Sequence, residues 1–124
     1  QGEAPDAQTQ VYLADTFSEM GLWYACSAHA LIGGSFCDVE GHNPWEALQL
    51  GCAVMHGPRI ANFAADYAAL NAAQAARATP RAEDLYAALQ APAADGLAGF
   101  ERLQTQYRAK LNDLTDQLLE RVRP

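Results

Sequence analysis

Short apolar runs that end in glycine-rich turns constrain the fold of this chain more than any other feature. Ala28–Ile32 is followed by Gly33-Gly34, and Cys52–His56 is followed by Gly57-Pro58. Amphipathic segments separate such runs, so that strand and helix alternate through residues 11–90. This alternation is typical of β-α-β units, which place their strands in a parallel sheet. We therefore predict an α/β fold with a small parallel sheet of three or four strands flanked by helices.

Capping residues and periodicity predict the remaining elements. Residues 1–10 are polar and are predicted to be a loop. Val11–Ala14 is predicted to be the first strand, and Thr16 with Glu19 fits a capping box for the helix after it. The last helix is the longest, and its apolar residues recur at every third or fourth position from Leu97 to Val122. That stripe predicts a helix lying on a core, with a coiled-coil partner as the alternative. The predicted helices cover about 17–25, 43–50, 60–73, 80–91 and 95–122, and a fourth, edge-like strand covers 76–79.

Composition limits the class of protein and of ligand. The 124 residues suffice for one domain, and the formal charge of −7 argues against nucleic acid and anionic membrane surfaces as partners. An anionic ligand would have to be held locally, by helix N-termini, turn amides and Arg59. The three cysteines and three histidines have no zinc-site spacing, and no apolar run reaches the roughly 18 residues of a membrane span. We therefore expect neither a metal nor a cofactor.

The segment Gly41–Glu46 carries the strongest chemical signal. Asn43 is a suitable N-cap, Pro44 suits the first helical position, and Glu46 falls in the first turn. A helix start of this kind presents N–H groups and one carboxylate to a phosphorylated ribose. The alternative is structural, because Asn43 and Glu46 have the spacing of a capping box. The spacing alone leaves both interpretations open.

Other polar residues give weaker signals. Gly34 and Ser35 follow a predicted strand, where open α/β sheets bind ligands, although a Gly-Gly pair is more often a turn at positive φ. His42 is a candidate for ligand contact, and His42 and His56 are candidates for acid–base work. His29 lies inside an apolar run and is predicted to be a core residue.

Taken in order, these segments resemble the C-terminal domain of the 3-deoxy-D-manno-octulosonic acid (Kdo) transferases. The resemblance is strong over about 11–70 and weaker to residue 124. The matching segments are Val11–Thr16, Glu19–Tyr24, Ile32–Ser35, Gly41–Ala47, Gly51, Gly57-Pro58 and Asn62-Phe63. The resemblance implies a partial Rossmann-like domain of a GT-B glycosyltransferase. Such enzymes transfer Kdo from CMP-Kdo to a lipid A precursor in lipopolysaccharide synthesis, without a metal, at the cytoplasmic face of the bacterial inner membrane.

The resemblance also assigns roles to residues. Asn43 and Glu46 would face the CMP of the donor, and Asp15 to Glu19 would line the opposite wall. The implied donor-binding residues are Asp15, Thr16, Ser18, Glu19, Gly34, Ser35, Gly41, His42, Asn43 and Glu46. No catalytic residue is expected here, because the general base of the family belongs to its N-terminal domain. Four positions depart from the family pattern: it usually has glycine in place of Ser18 and Glu40, proline in place of Ala47 and histidine in place of Arg59.

The resemblance leads us to expect a single partial domain over 1–124, a fragment that is soluble and inactive alone. Its truncated sheet is expected to expose an edge and apolar surface that invite a homodimer. Two other functions stay open. One is another GT-B nucleotide-sugar enzyme, such as a UDP-sugar transferase or epimerase, and the other is a non-catalytic helical interaction domain.

Overall fold

The protein is described from a computed structural model that covers residues 4–122, and the predicted loop at 1–10 lies partly outside this range. Within these residues, eight helices and strands follow one another. They are α1 Met20–Cys26, β1 His29–Ile32, α2 Trp45–Gln49, β2 Ala53–His56, α3 Ala64–Ala72, β3 Ala76–Ala78, α4 Ala82–Gln90 and α5 Ala93–Arg121. Two short 3-10 turns, Gly33–Phe36 and Ala61–Phe63, follow β1 and precede α3.

The three strands form one parallel sheet in the order β1-β2-β3, which confirms the predicted fold class. His29 of β1 lies opposite Ala53 of β2, and Val54 of β2 lies opposite Ala76 of β3. All four residues of β2 are buried, as expected for the central strand of a sheet that is covered on both faces. The parallel arrangement brings the loops after β1 and β2 to the same edge of the sheet.

The predicted strand at Val11–Ala14 is wrong, and so is the predicted start of the first helix. Val11 and Leu13 are 88% and 82% exposed, and of the run only the Tyr12 ring packs, against Trp23 of α1. That contact alone buries too little apolar surface to offset the entropy of ordering a strand here. The helix begins at Met20 rather than at 17. Ser18 has φ of +70°, a left-handed conformation that an α-helix cannot include.

The core lies between the sheet, α2, α3 and the first turns of α5. Its largest fully buried side chains include Tyr67 and Leu70 of α3. Leu48 of α2 and Phe100 of α5 complete the cluster around Val54. This packing fixes α3 against the sheet, and α3 in turn positions the loop that follows β1.

Helix α5 only partly meets the prediction that its stripe lies on a core. Phe100 and Leu103 are buried, and Leu97 packs against the core. From Tyr107 onward the stripe is exposed; its members there are Tyr107, Leu111, Leu114, Leu118 and Val122. The coiled-coil alternative and the homodimer, for which β1 also offers an outer strand, both stay predictions.

Candidate functional site

The loop between β1 and α2 carries most of the predicted site residues, and long-range hydrogen bonds fix its path. The Asn62 side-chain amide donates to the carbonyl of Val39 (2.7 Å), and its backbone N–H donates to that of Glu40 (3.1 Å). The Tyr67 hydroxyl donates to the carbonyl of His42 (3.0 Å). Both anchoring residues come from the segment that begins α3. These hydrogen bonds therefore hold the loop in a fixed position at the carboxyl edge of the sheet.

Ser35 links the ends of β1 and β2, and its hydroxyl is used in internal hydrogen bonds. It is fully buried, its hydroxyl donates to the Ile32 carbonyl, and its Oγ accepts the N–H of Gly57 (2.6 Å). The Ser35 carbonyl accepts the N–H of Arg59 (2.9 Å). Ser35 thus holds the loop after β1 against the end of β2.

Gly34 leaves space for the His42 side chain and does not adopt an unusual backbone conformation. Neither glycine of the Gly33-Gly34 pair has positive φ, so the turn interpretation based on φ is wrong. A Cβ on Gly34 would lie 2.6 Å from Cδ2 of His42, whose imidazole covers this position. Gly41 does need its glycine for conformation, because its φ is +92°. His42 and Gly34 therefore lie in direct contact at the rim of the loop.

Asn43 caps α2, but it does so without Glu46. The Asn43 Oδ1 accepts the N–H of Trp45 (2.9 Å), and the helix begins one residue later than predicted, at Trp45. Within residues 4–122, no hydrogen bond involves the Glu46 carboxylate, which is exposed. The capping-box interpretation is therefore wrong for Glu46. The five-residue length of α2 also leaves it little helix dipole with which to hold an anion.

The start of α1, which follows the predicted wall Asp15–Glu19 in the chain, lies beside the Glu46 carboxylate. A Cβ on Gly21 would lie 3.9 Å from Glu46 Oε1. Burial, with a smaller contribution from the charge of Glu46, raises the pKa of the neighbouring Tyr24 hydroxyl. Gly21 and Tyr24 lie on the same short helix, so both observations place Glu46 beside α1.

The four acidic and hydroxyl residues predicted on that wall are less closely joined to the loop. The Thr16 hydroxyl donates to the Glu19 carboxylate, immediately before α1. Asp15 and Ser18 are exposed, and across the described part of the chain no hydrogen bond links them to the loop after β1. The structure brings Gly34, Ser35, Gly41, His42, Asn43 and Glu46 into one region, and Glu19 has only local hydrogen-bond partners. The binding roles of all ten residues stay predictions.

One basic side chain lies at this edge, in contact with two carboxylates. Arg59 donates from Nε and Nη2 to Glu40 Oε1, at 2.9 and 2.6 Å. Its Nη2 also lies 2.7 Å from Asp38 Oδ1. Glu40 has φ of +58°, a conformation in which glycine costs least, and this agrees with the glycine that the family pattern has there.

The other histidines are structural. His56 is buried, with Nδ1 2.7 Å from the Gly57 carbonyl, Nε2 3.1 Å from Asn71 Oδ1, and its ring against Tyr67. His29 is only half-buried and lies outside the core cluster, so its predicted place in the core is wrong; its Nε2 lies 3.2 Å from the Ala91 carbonyl. His56 is therefore not placed for the acid–base work considered above. Sequence reasoning missed Tyr67 as an anchor of the loop, whereas the Asn62-Phe63 pair was part of the recognised pattern.

A cavity of the protein lies apart from the loop after β1. It has a volume of about 490 Å³ and lies beneath the start of α5, and His29, Gln74, Asp95 and Arg102 are among its lining residues. It contains none of the ten predicted donor-binding residues. Over residues 4–122, no cluster of His, Cys, Asp and Glu could hold a metal ion, and no helix combines the length and apolar character of a membrane span.

Sequence comparison finds curated relatives over about half of the chain. The 3-deoxy-D-manno-octulosonic acid transferase of Haemophilus influenzae is 41% identical over 61 residues, and that of Bordetella pertussis is 41% identical over 59. The probable mitochondrial enzyme of the same name from Arabidopsis thaliana is 40% identical over 57 residues. These matches cover 45% to 49% of this chain and only 13% or 14% of each relative. No model of a protein family matches the chain.

A solved structure matches a larger part of the chain. It is the C-terminal CMP-Kdo binding domain of WaaA from Acinetobacter baumannii, with a TM-score of 0.67 and 30% sequence identity. The match covers 77% of this chain and 53% of that one. The resemblance inferred from the sequence motifs is therefore confirmed in both sequence and fold.

Proposed function

We propose that this chain, a homologue of the Kdo transferases, is the part of such an enzyme that binds its CMP-Kdo donor. The observation that carries the proposal is the match in fold to a CMP-Kdo binding domain. The region where the loop after β1 meets α2 supplies the residues for that role.

Glu46 is the residue to which we give the most specific role, that of accepting hydrogen bonds from the ribose diol. Its carboxylate is exposed and bonds to no other described group, while Asn43 alone caps the helix. Carboxylates that meet a diol accept two hydrogen bonds, and such charge-assisted bonds are among the stronger ones. Asn43 and His42 would contact the nucleotide beside it, on a surface that Gly34, Ser35 and Gly41 shape. Asp15, Thr16, Ser18 and Glu19 would form the facing wall.

For the whole enzyme we propose the reaction that the family resemblance implies. It would move Kdo from CMP-Kdo onto a lipid A precursor in lipopolysaccharide synthesis, at the cytoplasmic face of the bacterial inner membrane. In that reaction the residues of this chain bind and orient the donor, so that the acceptor attacks the correct carbon of the sugar. The base that takes the acceptor proton would come from the N-terminal part of the enzyme.

Isothermal titration calorimetry with CMP and UMP tests the proposal. We expect CMP to bind more tightly than UMP, and Glu46→Gln to weaken CMP binding by about tenfold or more, as the loss of a charge-assisted bond predicts. Glu83→Gln is the matched control, because Glu83 is an exposed glutamate in the first turn of α4. The unfolding free energy of both variants should equal that of the parent chain, since neither carboxylate caps a helix.

Two results would contradict the proposal. Absence of CMP binding would remove its basis, and tighter binding of UMP would support a UDP-sugar enzyme instead. An unchanged CMP affinity in Glu46→Gln would contradict the role given to Glu46 alone.

A further inference from the structure

We propose that Arg59 binds the phosphate of the nucleotide donor, and that Glu40 and Asp38 occupy its guanidinium until the donor arrives. This inference rests on the proposed function and names the cation that the site would use. It also gives a role to the carboxylates of Glu40 and Asp38, which would otherwise only repel a phosphate.

The site needs a cation because its other means of holding an anion are weak or already used. The chain carries a formal charge of −7, and α2 is only five residues long. Several backbone N–H groups of the region have internal partners: Gly41 donates to Gly34, Gly57 to Ser35, and Trp45 to Asn43. The negative charge of a phosphate bound here would therefore have to be compensated mainly by a side chain.

Arg59 is in the right place to supply it. Its N–H donates to the Ser35 carbonyl, and its own carbonyl lies 3.5 Å from the position of a Cβ on Gly41. The backbone of Arg59 thus runs between two segments of the proposed donor site. Its guanidinium lies on Glu40, the residue immediately before Gly41, and so reaches the rim of the loop.

The ion pairs that now hold Arg59 are suited to exchange. The Arg59 side chain is 44% exposed, that of Glu40 32% and that of Asp38 96%, so water screens both pairs. Exposed pairs of this kind contribute little, whereas a guanidinium binds phosphate through two parallel hydrogen bonds. Two carboxylates around one guanidinium leave a net charge of −1. The donor phosphate must therefore displace them, and they lower its affinity by competing for the same cation.

Paired variants and two ligands test this inference. CMP and cytidine differ by the phosphate alone, and their affinities can be measured by calorimetry or by NMR titration at low and high salt. We expect Arg59→Gln to weaken CMP binding by about tenfold and to leave cytidine binding unchanged. We expect Glu40→Gln to strengthen CMP binding several-fold, again without an effect on cytidine. Both effects should shrink at high salt.

The pair formed by Arg81 and Asp84 is the matched control. It is an exposed arginine–carboxylate pair with similar distances, 2.7 and 2.8 Å, located after β3. Arg81→Gln and Asp84→Asn change the net charge of the chain by the same amounts as the test variants. We expect them to leave the ratio of CMP to cytidine affinity unchanged, which separates a local contact from a general charge effect.

The outcomes distinguish this inference from the proposed function. An equal loss of CMP and cytidine binding in Arg59→Gln would give Arg59 a structural role only, and unchanged CMP binding would remove it from the site. Either result overturns the inference and leaves the proposed function standing. A parent chain that binds neither ligand would overturn both.

Discussion

Replacing Tyr67 with phenylalanine isolates the contribution of one buried hydroxyl to the loop that carries the proposed site. Tyr67 is fully buried, and its hydroxyl donates to the His42 carbonyl at 3.0 Å. The variant keeps the ring and its packing against His56 but leaves that carbonyl without this donor. We expect the free energy of unfolding at pH 7 to fall by about 1 kcal/mol, the usual net value of such a hydrogen bond.

The same hydroxyl predicts how this difference changes with pH. Burial raises the pKa of Tyr67 from 10.0 to about 12. The folded state therefore favours the protonated phenol, and the stability it contributes is complete below pH 10 and is lost as the pH rises towards 12. At about pH 11 the unfolded tyrosine is mostly ionised and the folded one is not, which costs the parent chain about 1.4 kcal/mol. The stabilities of parent and variant should therefore cross near that pH.

Urea unfolding at several pH values from 7 to 11 measures this crossing. The two proteins differ only in this hydroxyl, so the difference between their stabilities isolates its contribution. Tyr86→Phe is the control, because Tyr86 is exposed, and its removal should leave the pH dependence unchanged. A difference between parent and Tyr67→Phe that stays constant from pH 9 to pH 11 would refute the reasoning.

Two pairs of glycine substitutions give further predictions. Gly34→Ala should displace the His42 imidazole, which lies 2.6 Å from the new Cβ, and weaken CMP binding in calorimetry, whereas Gly33→Ala meets nothing within 4 Å and should leave binding unchanged. Gly99→Ala should lower the free energy of unfolding by about 1–3 kcal/mol, because its Cβ would lie 2.4 Å from a backbone oxygen, and Gly96→Ala should raise it by up to about 1 kcal/mol through helix propensity. An equal response of the two members of either pair would contradict the packing on which that prediction depends.

Local sequence patterns were sufficient to predict a strand where turn residues mark its end. The glycines at 33 and 57 stop β1 and β2 where predicted, and the paired strands then bury the apolar runs that precede those glycines. The run at Val11–Ala14 has a similar composition but pairs with no strand. A four-residue apolar run forms a strand only when it pairs with a neighbouring strand and packs against other side chains. The sequence of the run itself does not show whether such partners exist.

Backbone conformation at two departures from the family pattern could be anticipated only through the resemblance. Ser18 and Glu40 stand where the family usually has glycine, and both have positive φ, +70° and +58°. Neither side chain signals such a conformation by itself, because residues other than glycine rarely adopt it. The glycine of the family pattern therefore carries information about the backbone that persists after the glycine is replaced.

The proposed site was harder to predict than the fold because contacts distant in sequence assemble it. Spacing alone could not decide between a capping role for Glu46, which the structure does not support, and a role in ligand binding. Nothing in the local sequence connects Asn62 or Tyr67 with the loop that they anchor. These anchors act on the whole loop, whereas Arg59 faces one chemical group of the proposed ligand. Variants of the anchors should therefore weaken CMP and cytidine binding together, and Arg59 variants should weaken only CMP binding. The ratio of the two affinities thus separates positioning of the loop from recognition of the phosphate.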